Sequence, residues 1–441
     1  MAQKNIQFPK GFLWGTATAA HQIEGGNTNN NWWHFEQRPG AIKNDDSSRV
    51  ACDHWNRYEK DFDLIKKLNN NAYRMSIEWS RVFPGPGVVD RKALGHYHDM
   101  IDALLKRKIT PFVTLLHFST PQWWDNGGGL LNGKEAHLQH FREFCSLMVR
   151  EFRGKIVYWN TINEIDIMAL GYLTKDFPPG EISMPKAFRA AANLMKMHLI
   201  AYETVKGFDP DAKVGLVHNI QGVRPDNPSS LMDRLLARFV DYLFNGAYFR
   251  ALKKGKLINS LFGVYPGLRG STDFFGLNFY NFLRVSPRLP GMVKQATDDP
   301  LCGEGGLCAG LGWEPYPEGL YLSLKRIHRE LPGMPVYITE NGIGTDNDNW
   351  RRQYLVDNLK MVHKAIAEGV DVRGYFHWSL MDNFEWAQGY LSRFGLVNMD
   401  FSTQKRTIKG SGKLYAEISK MNALTPDILI KYREEIYRPR F

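Results

Sequence analysis

The chain has 441 residues, with 56 basic and 46 acidic side chains and a formal net charge of +10 at pH 7. The lysines and arginines are scattered, and no basic run with interleaved aromatic residues is present, which argues against a nucleic-acid-binding protein. No apolar run reaches the roughly 18 residues that a membrane span requires, and the polar N-terminus does not resemble a signal peptide, so neither a membrane nor a nucleic acid is an expected partner and a cytoplasmic location is expected.

Short apolar runs alternate along the chain with longer segments that carry apolar residues at helical spacing. The short runs predict eight strands, at residues 12–18, 72–79, 111–117, 157–163, 213–218, 274–279, 336–339 and 372–379. The longer segments predict helices between them, at residues 58–68, 93–106, 135–152, 187–205, 231–254, 318–330 and 351–367. This alternation predicts an α/β fold, a (β/α)8 TIM barrel with long βα loops. We expect one domain over residues 1–441, with a charged C-terminal tail at residues 425–441.

Three long segments, at residues 25–46, 287–312 and 380–399, lack a regular pattern, and loops of this length are often functional. The chain also has four cysteines, two of which, Cys302 and Cys308, lie close together in a Gly-rich segment. Free thiols are favoured over a disulfide there, although pairing of these two stays open. Their spacing is not typical of a zinc site, and we expect neither a metal nor a cofactor.

Two glutamates follow apolar strands that lie far apart in the chain. Glu164 ends the run 157–164, and Glu340 ends the run 336–340. Because the C-terminal ends of barrel strands meet on one face, the two carboxylates are expected to share a site. Such a pair is typical of glycosidases, in which one carboxyl protonates the leaving oxygen while the other is ionised. A separation of about 5–5.5 Å would indicate retention and about 6.5–9.5 Å inversion, and the sequence leaves this open.

Further polar and aromatic side chains stand at strand ends, where a barrel would gather them into a surface suited to polyols. Arg74 and Tyr280 are expected to favour the ionised form of Glu340, whereas an apolar neighbour and a negative partner would raise the pKa of Glu164. Alternative structural roles remain for several of these residues, such as an ion pair for Arg74 or a turn for Asn278. The other members of the set are Gln22, Glu24, Glu78, His117, Asn163, Trp378, Asp382 and Glu385.

Five motifs in order resemble those of glycoside hydrolase family 1, the β-glucosidase-like enzymes, over nearly the whole chain. They lie at residues 12–25, 73–81, 161–164, 338–342 and 374–386. The resemblance implies a retaining mechanism, with Glu340 as nucleophile and Glu164 as acid/base. It also implies that Asn278 and Tyr280 flank the nucleophile, that Trp378 is the floor under the sugar and that Trp313 borders the leaving-group site. The implied sugar-binding set is completed by Gln22, His117, Asn163, Glu385, Trp386 and Phe394.

The chain departs from the family pattern after the acid/base, where Ile165 replaces the usual proline, and in the short loop that carries Trp32 and Trp33. Glu385 would repel a phosphate, which favours neutral sugars over 6-phosphoglycosides. The expected activity is that of a retaining exo-β-glycosidase acting on β-glucosides and oligosaccharides, with galactosides and fucosides as further substrates, because Gln22 and Glu385 can bond either C4 epimer. A transglycosylase and a non-catalytic sugar-binding relative remain as alternatives, and the oligomeric state stays unpredicted.

Overall fold

A computed structural model of the protein describes residues 5–257, 264–293 and 315–432. Eight parallel strands form a closed barrel in chain order, and the last strand, β8, pairs with the first, β1, through Gly374 with Leu13 and Trp378 with Ala17. The predicted barrel is therefore confirmed. The strands are β1 Leu13–Ala17, β2 Ala72–Ser76, β3 Thr110–Leu116, β4 Tyr158–Asn163, β5 Lys213–Asn219, β6 Phe274–Asn278, β7 Val336–Asn341 and β8 Val372–Trp378.

Long helices follow each strand. Their lengths come from apolar faces at helical spacing, which bury residues such as Phe62, Met100 and Phe144. These helices span His54–Lys67, Arg91–Lys106, Glu135–Phe152, Met184–Phe208, Leu231–Asp241, Ala247–Lys254, Pro317–Glu330, Asp348–Ala367 and Gly410–Met421. None of the helices in the described ranges is long and apolar enough to cross a membrane.

Two predicted strand ends and one predicted helix differ from the structure. Strand β2 ends at Ser76 rather than at residue 79, because the Glu78 carboxylate accepts a hydrogen bond from the Ser80 backbone N–H and starts the short helix Trp79–Val82. Strand β7 continues to Asn341, so Glu340 belongs to the strand itself. The helix predicted at residues 231–254 contains a π-helical turn at Tyr242–Gly246.

The segments predicted to be irregular contain short elements that frame the C-terminal face of the barrel. Segment 25–46 includes the helix Asn31–Glu36, whose first turn is capped by the Asn30 side chain accepting from the Trp33 N–H at 2.8 Å. Segment 380–399 includes the 3-10 turn Trp386–Gln388 and the strand Val397–Asp400, which pairs with Lys405–Ile408. Cys52 and Cys145 are buried free thiols. Cys302, Cys308 and Trp313 lie outside the described residues.

Aromatic side chains fill the barrel below its C-terminal face. The Phe112 ring lies with its centroid 4.9 Å from that of Tyr158 and 5.0 Å from that of Phe376. Tyr337 packs against the same ring at 5.3 Å. This packed layer closes the barrel interior, so groups above it face only the loops of the C-terminal face.

Candidate active site

Glu340 is held in strand β7 by two donors that contact its two carboxylate oxygens. Arg74 in β2 forms an ion pair with Oε1 through Nη1, and Tyr280 donates its hydroxyl to Oε2 at 2.5 Å. Arg74 is fully buried, and Glu340 is only 4% exposed. A carboxylate bound by a guanidinium and a hydroxyl is stabilised in its charged form. Burial, followed by the charges of Glu340 and Glu164, raises the pKa of Tyr280 well above its usual value, which keeps the phenol a donor.

Glu164 stands directly after β4, and its environment favours the opposite protonation state. Burial, the nearby Glu340 carboxylate and Asp166, in that order, raise its pKa well above the usual value. Its Oε1 accepts a hydrogen bond from Asn278 Nδ2 at 2.7 Å. The site thus contains one carboxylate bound by a guanidinium and a phenol and one carboxyl whose pKa is raised, and glycoside hydrolysis requires two carboxyl groups in such different surroundings.

The backbone of Glu164 adopts a left-handed conformation with φ 48° and ψ 72°, which is uncommon for a residue other than glycine. Two hydrogen bonds secure it. The Glu164 N–H donates to the Val217 carbonyl of β5 at 3.0 Å, and the Met168 N–H donates to the Glu164 carbonyl at 3.1 Å. This turn brings the side chain within hydrogen-bond distance of Asn278, and no pattern in the sequence indicates the turn.

An amide network links the two glutamates. Asn163 Oδ1 accepts from Arg74 Nη2 at 2.7 Å and from Asn278 Nδ2 at 3.1 Å. Thr339 Oγ1 donates to Asn278 Oδ1 at 2.7 Å, which turns the amide N–H groups of Asn278 toward Glu164 and Asn163. Sequence reasoning missed Thr339, although it lies in the same strand motif as Glu340.

Gln22 and the loop after β8 form a second wall. Gln22 Nε2 donates to the Phe384 carbonyl at 2.8 Å, to Asn383 Oδ1 at 3.0 Å and to Glu385 Oε2 at 3.3 Å. Its buried Oε1 has no hydrogen-bond partner within the described part of the chain, so it is oriented but still able to accept from a ligand. Asn383, which orients Gln22, is a second residue that sequence reasoning missed.

Glu385 in this wall accepts a hydrogen bond from the Trp378 side chain. Burial, as the largest effect, raises the pKa of Glu385 to about 8. The carboxyl is therefore largely protonated at neutral pH. It would repel a phosphate less strongly than the fully charged carboxylate that the sequence analysis assumed.

Stacked rings form the remaining surface. The His117 ring is inclined by 23° to that of Trp378 and by 20° to that of Trp386, with centroids 6.0 and 6.3 Å away. Burial and the nearby Arg74 charge lower the pKa of His117 well below its usual value, so the imidazole is neutral. Its Nε2 lies 3.2 Å from Asn163 Nδ2. Phe394 lies further back, with its ring edge-on to Tyr280 at 6.0 Å.

Three acidic residues that the sequence also placed at strand ends are engaged elsewhere. Glu24 pairs with Arg81 and accepts from the Tyr97 hydroxyl, and Asp382 pairs with Lys409. Glu78 accepts from Ser119 at 2.6 Å. These carboxylates support the loops around the site. No group of three or more His, Cys, Asp or Glu side chains in residues 5–257, 264–293 and 315–432 is arranged to hold a metal ion.

The chain is similar to characterised proteins over nearly its whole length. Residues 4–424 match the family model described as glycosyl hydrolase family 1. The chain is 37% identical to β-glucosidase A of Thermotoga maritima, over 95% of this chain and 99% of that protein. It is 35% identical to a bifunctional β-D-glucosidase/β-D-fucosidase of Bifidobacterium breve, covering 92% and 97%. The solved structure of a β-glycosidase from Pyrococcus horikoshii superposes with a TM-score of 0.88 at 40% identity, covering 97% and 98% of the two chains.

Proposed function

This chain belongs to glycosyl hydrolase family 1, and we propose that it is a retaining exo-β-glucosidase that releases terminal non-reducing β-D-glucosyl residues. The observation that carries the proposal is the pair of buried glutamates with opposite electrostatic surroundings. Glu340 lies between a guanidinium and a phenol, whereas Glu164 lies among carboxylates.

In the first step, the ionised Glu340 attacks the anomeric carbon while Glu164 donates its proton to the departing alcohol oxygen. A covalent glycosyl-enzyme forms, and the charge of Glu340 is lost in the ester. Because that charge is one of the causes of the raised pKa of Glu164, its loss lowers this pKa and makes Glu164 a base. Glu164 then removes a proton from water, which attacks the anomeric carbon and releases the sugar with retained configuration.

The wall formed by Gln22 and Glu385 supports exo action on a neutral sugar. Gln22 joins the segment after β1 to the loop after β8 through hydrogen bonds to the Phe384 carbonyl and the Glu385 carboxyl. Gln22 Oε1 and the Glu385 carboxyl supply hydrogen bonds to hydroxyls, while Trp378 offers an apolar face to the ring. Asn278 holds Glu164 directly, and Asn163 holds Arg74, which pairs with Glu340. His117 and Trp386 complete the surface around the sugar.

Product stereochemistry provides the direct test. We expect proton NMR during hydrolysis of an aryl β-glucoside to detect β-glucose first, with α-glucose appearing only by mutarotation. The reason is that two displacements at the anomeric carbon restore the starting configuration. Initial release of α-glucose would contradict the mechanism, and the absence of turnover with measurable glucose binding would instead support a sugar-binding protein.

Substrate range gives a second prediction. We expect kcat/KM for aryl β-fucosides to lie within about a hundredfold of that for β-glucosides. β-D-Fucose differs from β-D-glucose at two positions, the orientation of the C4 hydroxyl and the absence of the C6 hydroxyl, and each hydroxyl contact changes binding by only about 1–1.5 kcal/mol. The bifunctional Bifidobacterium breve relative supports this choice. Assays with aryl glycosides that differ at C2, C4 and C6 measure it. Rejection of the fucoside by more than about a thousandfold, with the galactoside still hydrolysed, would place an essential contact at the C6 hydroxyl.

A transglycosylase would use the same covalent intermediate but pass the sugar to an alcohol. Product analysis with added alcohol separates this activity from hydrolysis. One catalytic domain over residues 1–441 and a cytoplasmic location remain predictions, which limited proteolysis and cell fractionation would test.

A further inference from the structure

The chain turns sharply just after strand β3, at the residue that contributes His117 to the site. The Ser119 N–H donates to the His117 carbonyl at 2.9 Å, and Phe118 between them has a φ of 68°. A hydrogen bond from residue i+2 back to residue i, with a positive φ at the central residue, is a γ-turn of the rare and strained kind, and a bulky residue seldom adopts such a φ. Backbone of this kind persists only where the surrounding contacts fix it.

The His117 ring depends on this turn for its position. Within the described part of the chain, its Nδ1 has no hydrogen-bond partner, and its Nε2 makes a single contact, with Asn163 Nδ2 at 3.2 Å. The ring nevertheless lies against Trp378 and Trp386, the two tryptophans of the site. The backbone at residues 117–119 therefore determines where the imidazole stands relative to these rings.

Two side chains from the loops after β1 and β2 hold the turn. From the loop after β2, Glu78 Oε2 accepts a hydrogen bond from Ser119 Oγ at 2.6 Å, and both residues are buried. From the loop after β1, Asn31 Nδ2 donates to the Phe118 carbonyl at 3.4 Å, and Asn31 Oδ1 accepts from the Thr120 N–H at 2.9 Å. The bond between Ser119 and Glu78 is the shortest of these contacts and is fully buried, so it is the firmest hold on the turn.

Glu78 is itself fixed in place by other contacts. Its N–H donates to the Tyr97 hydroxyl at 3.0 Å, and its Oε1 accepts from Ser80 Oγ at 2.6 Å at the start of the helix Trp79–Val82. A helix cap needs only one oxygen, and the usual cap residues are the shorter Ser, Asp and Asn. The longer side chain and second carboxylate oxygen of Glu78 allow the same residue to hold Ser119 as well.

We propose that Glu78 is a positioning residue, which holds the γ-turn at residues 117–119 through Ser119 and thereby places His117 beside the sugar. The inference rests on the proposed function, in which His117 is part of the surface around the sugar. Glu78 acts through Ser119 and is not assigned a contact with the substrate. This role depends on the hydrogen bond between the two side chains and not on a charge at Glu78.

The test removes this hydrogen bond from each side. Ser119→Ala deletes the donor, whereas Glu78→Ser keeps a usual cap residue before the helix Trp79–Val82 but shortens the side chain that reaches Ser119. We expect each variant to lower kcat/KM for an aryl β-glucoside by roughly ten- to a hundredfold, because a misplacement of about 1 Å in a site can cost about a hundredfold. The double variant should lose no more than about twofold beyond either single variant, because both changes remove the same hydrogen bond.

Removal of the His117 ring separates positioning from a general loss of structure. In a His117→Ala background, which is itself less active, Ser119→Ala should change kcat/KM by less than about threefold, since no ring remains to be placed. Ser411→Ala is the matched control, because it deletes a buried hydroxyl that also donates to a carboxylate at 2.6 Å, that of Asp348, in the helix Gly410–Met421 outside the site. It should lower the thermal unfolding temperature about as much as Ser119→Ala does but leave kcat/KM unchanged.

Three results would overturn the proposal: an unchanged kcat/KM in both Ser119→Ala and Glu78→Ser, losses that add in the double variant, or a loss in Ser119→Ala that persists in full without the His117 ring. If Ser119→Ala fails to fold, Glu78→Ser with and without His117→Ala gives the same comparison. Failure of the proposed function would appear instead in the native protein, as initial release of α-glucose or as absence of turnover, so the two failures are distinguishable.

Discussion

Replacement of Glu340 by glycine is expected to lower kcat for an aryl β-glucoside by at least about 10⁴-fold, because removal of a covalent nucleophile usually abolishes the main pathway. The loss corresponds to about 5.4 kcal/mol of transition-state stabilisation. The variant also leaves the buried Arg74 guanidinium without its partner, and removal of one member of a buried ion pair costs roughly 3–5 kcal/mol of folding stability. Activity and thermal unfolding should therefore both decline.

Added azide is expected to restore both properties of Glu340→Gly. The small anion fits the space of the lost side chain, neutralises Arg74 and attacks the anomeric carbon from the same face as the carboxylate. A single displacement inverts the centre, so the product is the α-glucosyl azide, which NMR identifies. Glu340→Gln is the matched control, since it keeps the volume but provides neither charge nor space. Unaided turnover by the glycine variant, or formation of the β-azide, would rule Glu340 out as the nucleophile.

The barrel was predictable because each strand carries a run of buried residues whose length favours a strand over a turn or a helix. It also placed Glu164 and Glu340 together, since the C-terminal ends of parallel strands share one face. The boundaries were less predictable. Whether β2 ended at residue 76 or 79 depended on Glu78 capping the next helix, a contact that periodicity does not reveal.

The supporting residues were harder to find, because their roles depend on contacts between distant segments. Thr339 faces Asn278 only after β6 and β7 pair, and Asn383 orients Gln22 across 361 positions of the chain. The expected repulsion by Glu385 assumed an ordinary carboxylate, whereas burial raises its pKa to about 8. Composition and spacing do not report burial at a single side chain, so the sequence could not indicate this raised pKa.

Replacement of Glu164 by alanine is expected to act selectively on substrates that need a proton. With an alkyl β-glucoside, the first step should slow by about 10³–10⁴-fold, within the range of general acid catalysis. With a dinitrophenyl β-glucoside, that step should change little, and the intermediate should accumulate because its hydrolysis now lacks a base. A burst of dinitrophenol followed by a slow steady state would record this, and mass spectrometry would detect the glycosyl group on Glu340.

Glu164→Ala is also expected to change the pH profile and the product that forms with azide. The native enzyme should lose kcat/KM at high pH as Glu164 loses its proton, and Glu164→Ala should lack this alkaline limb. Azide should accelerate the second step by replacing water without needing a base, and it should give the β-glucosyl azide through a second inversion. Asn278→Ala is the control variant, because it removes a hydrogen bond to Glu164 but leaves the acid in place. It should keep the alkaline limb of the pH profile and the dependence of the rate on the leaving group. Equal losses for alkyl and dinitrophenyl substrates, or formation of the α-azide, would contradict an acid/base role, because only a residue that moves the proton makes the rate depend on the leaving group.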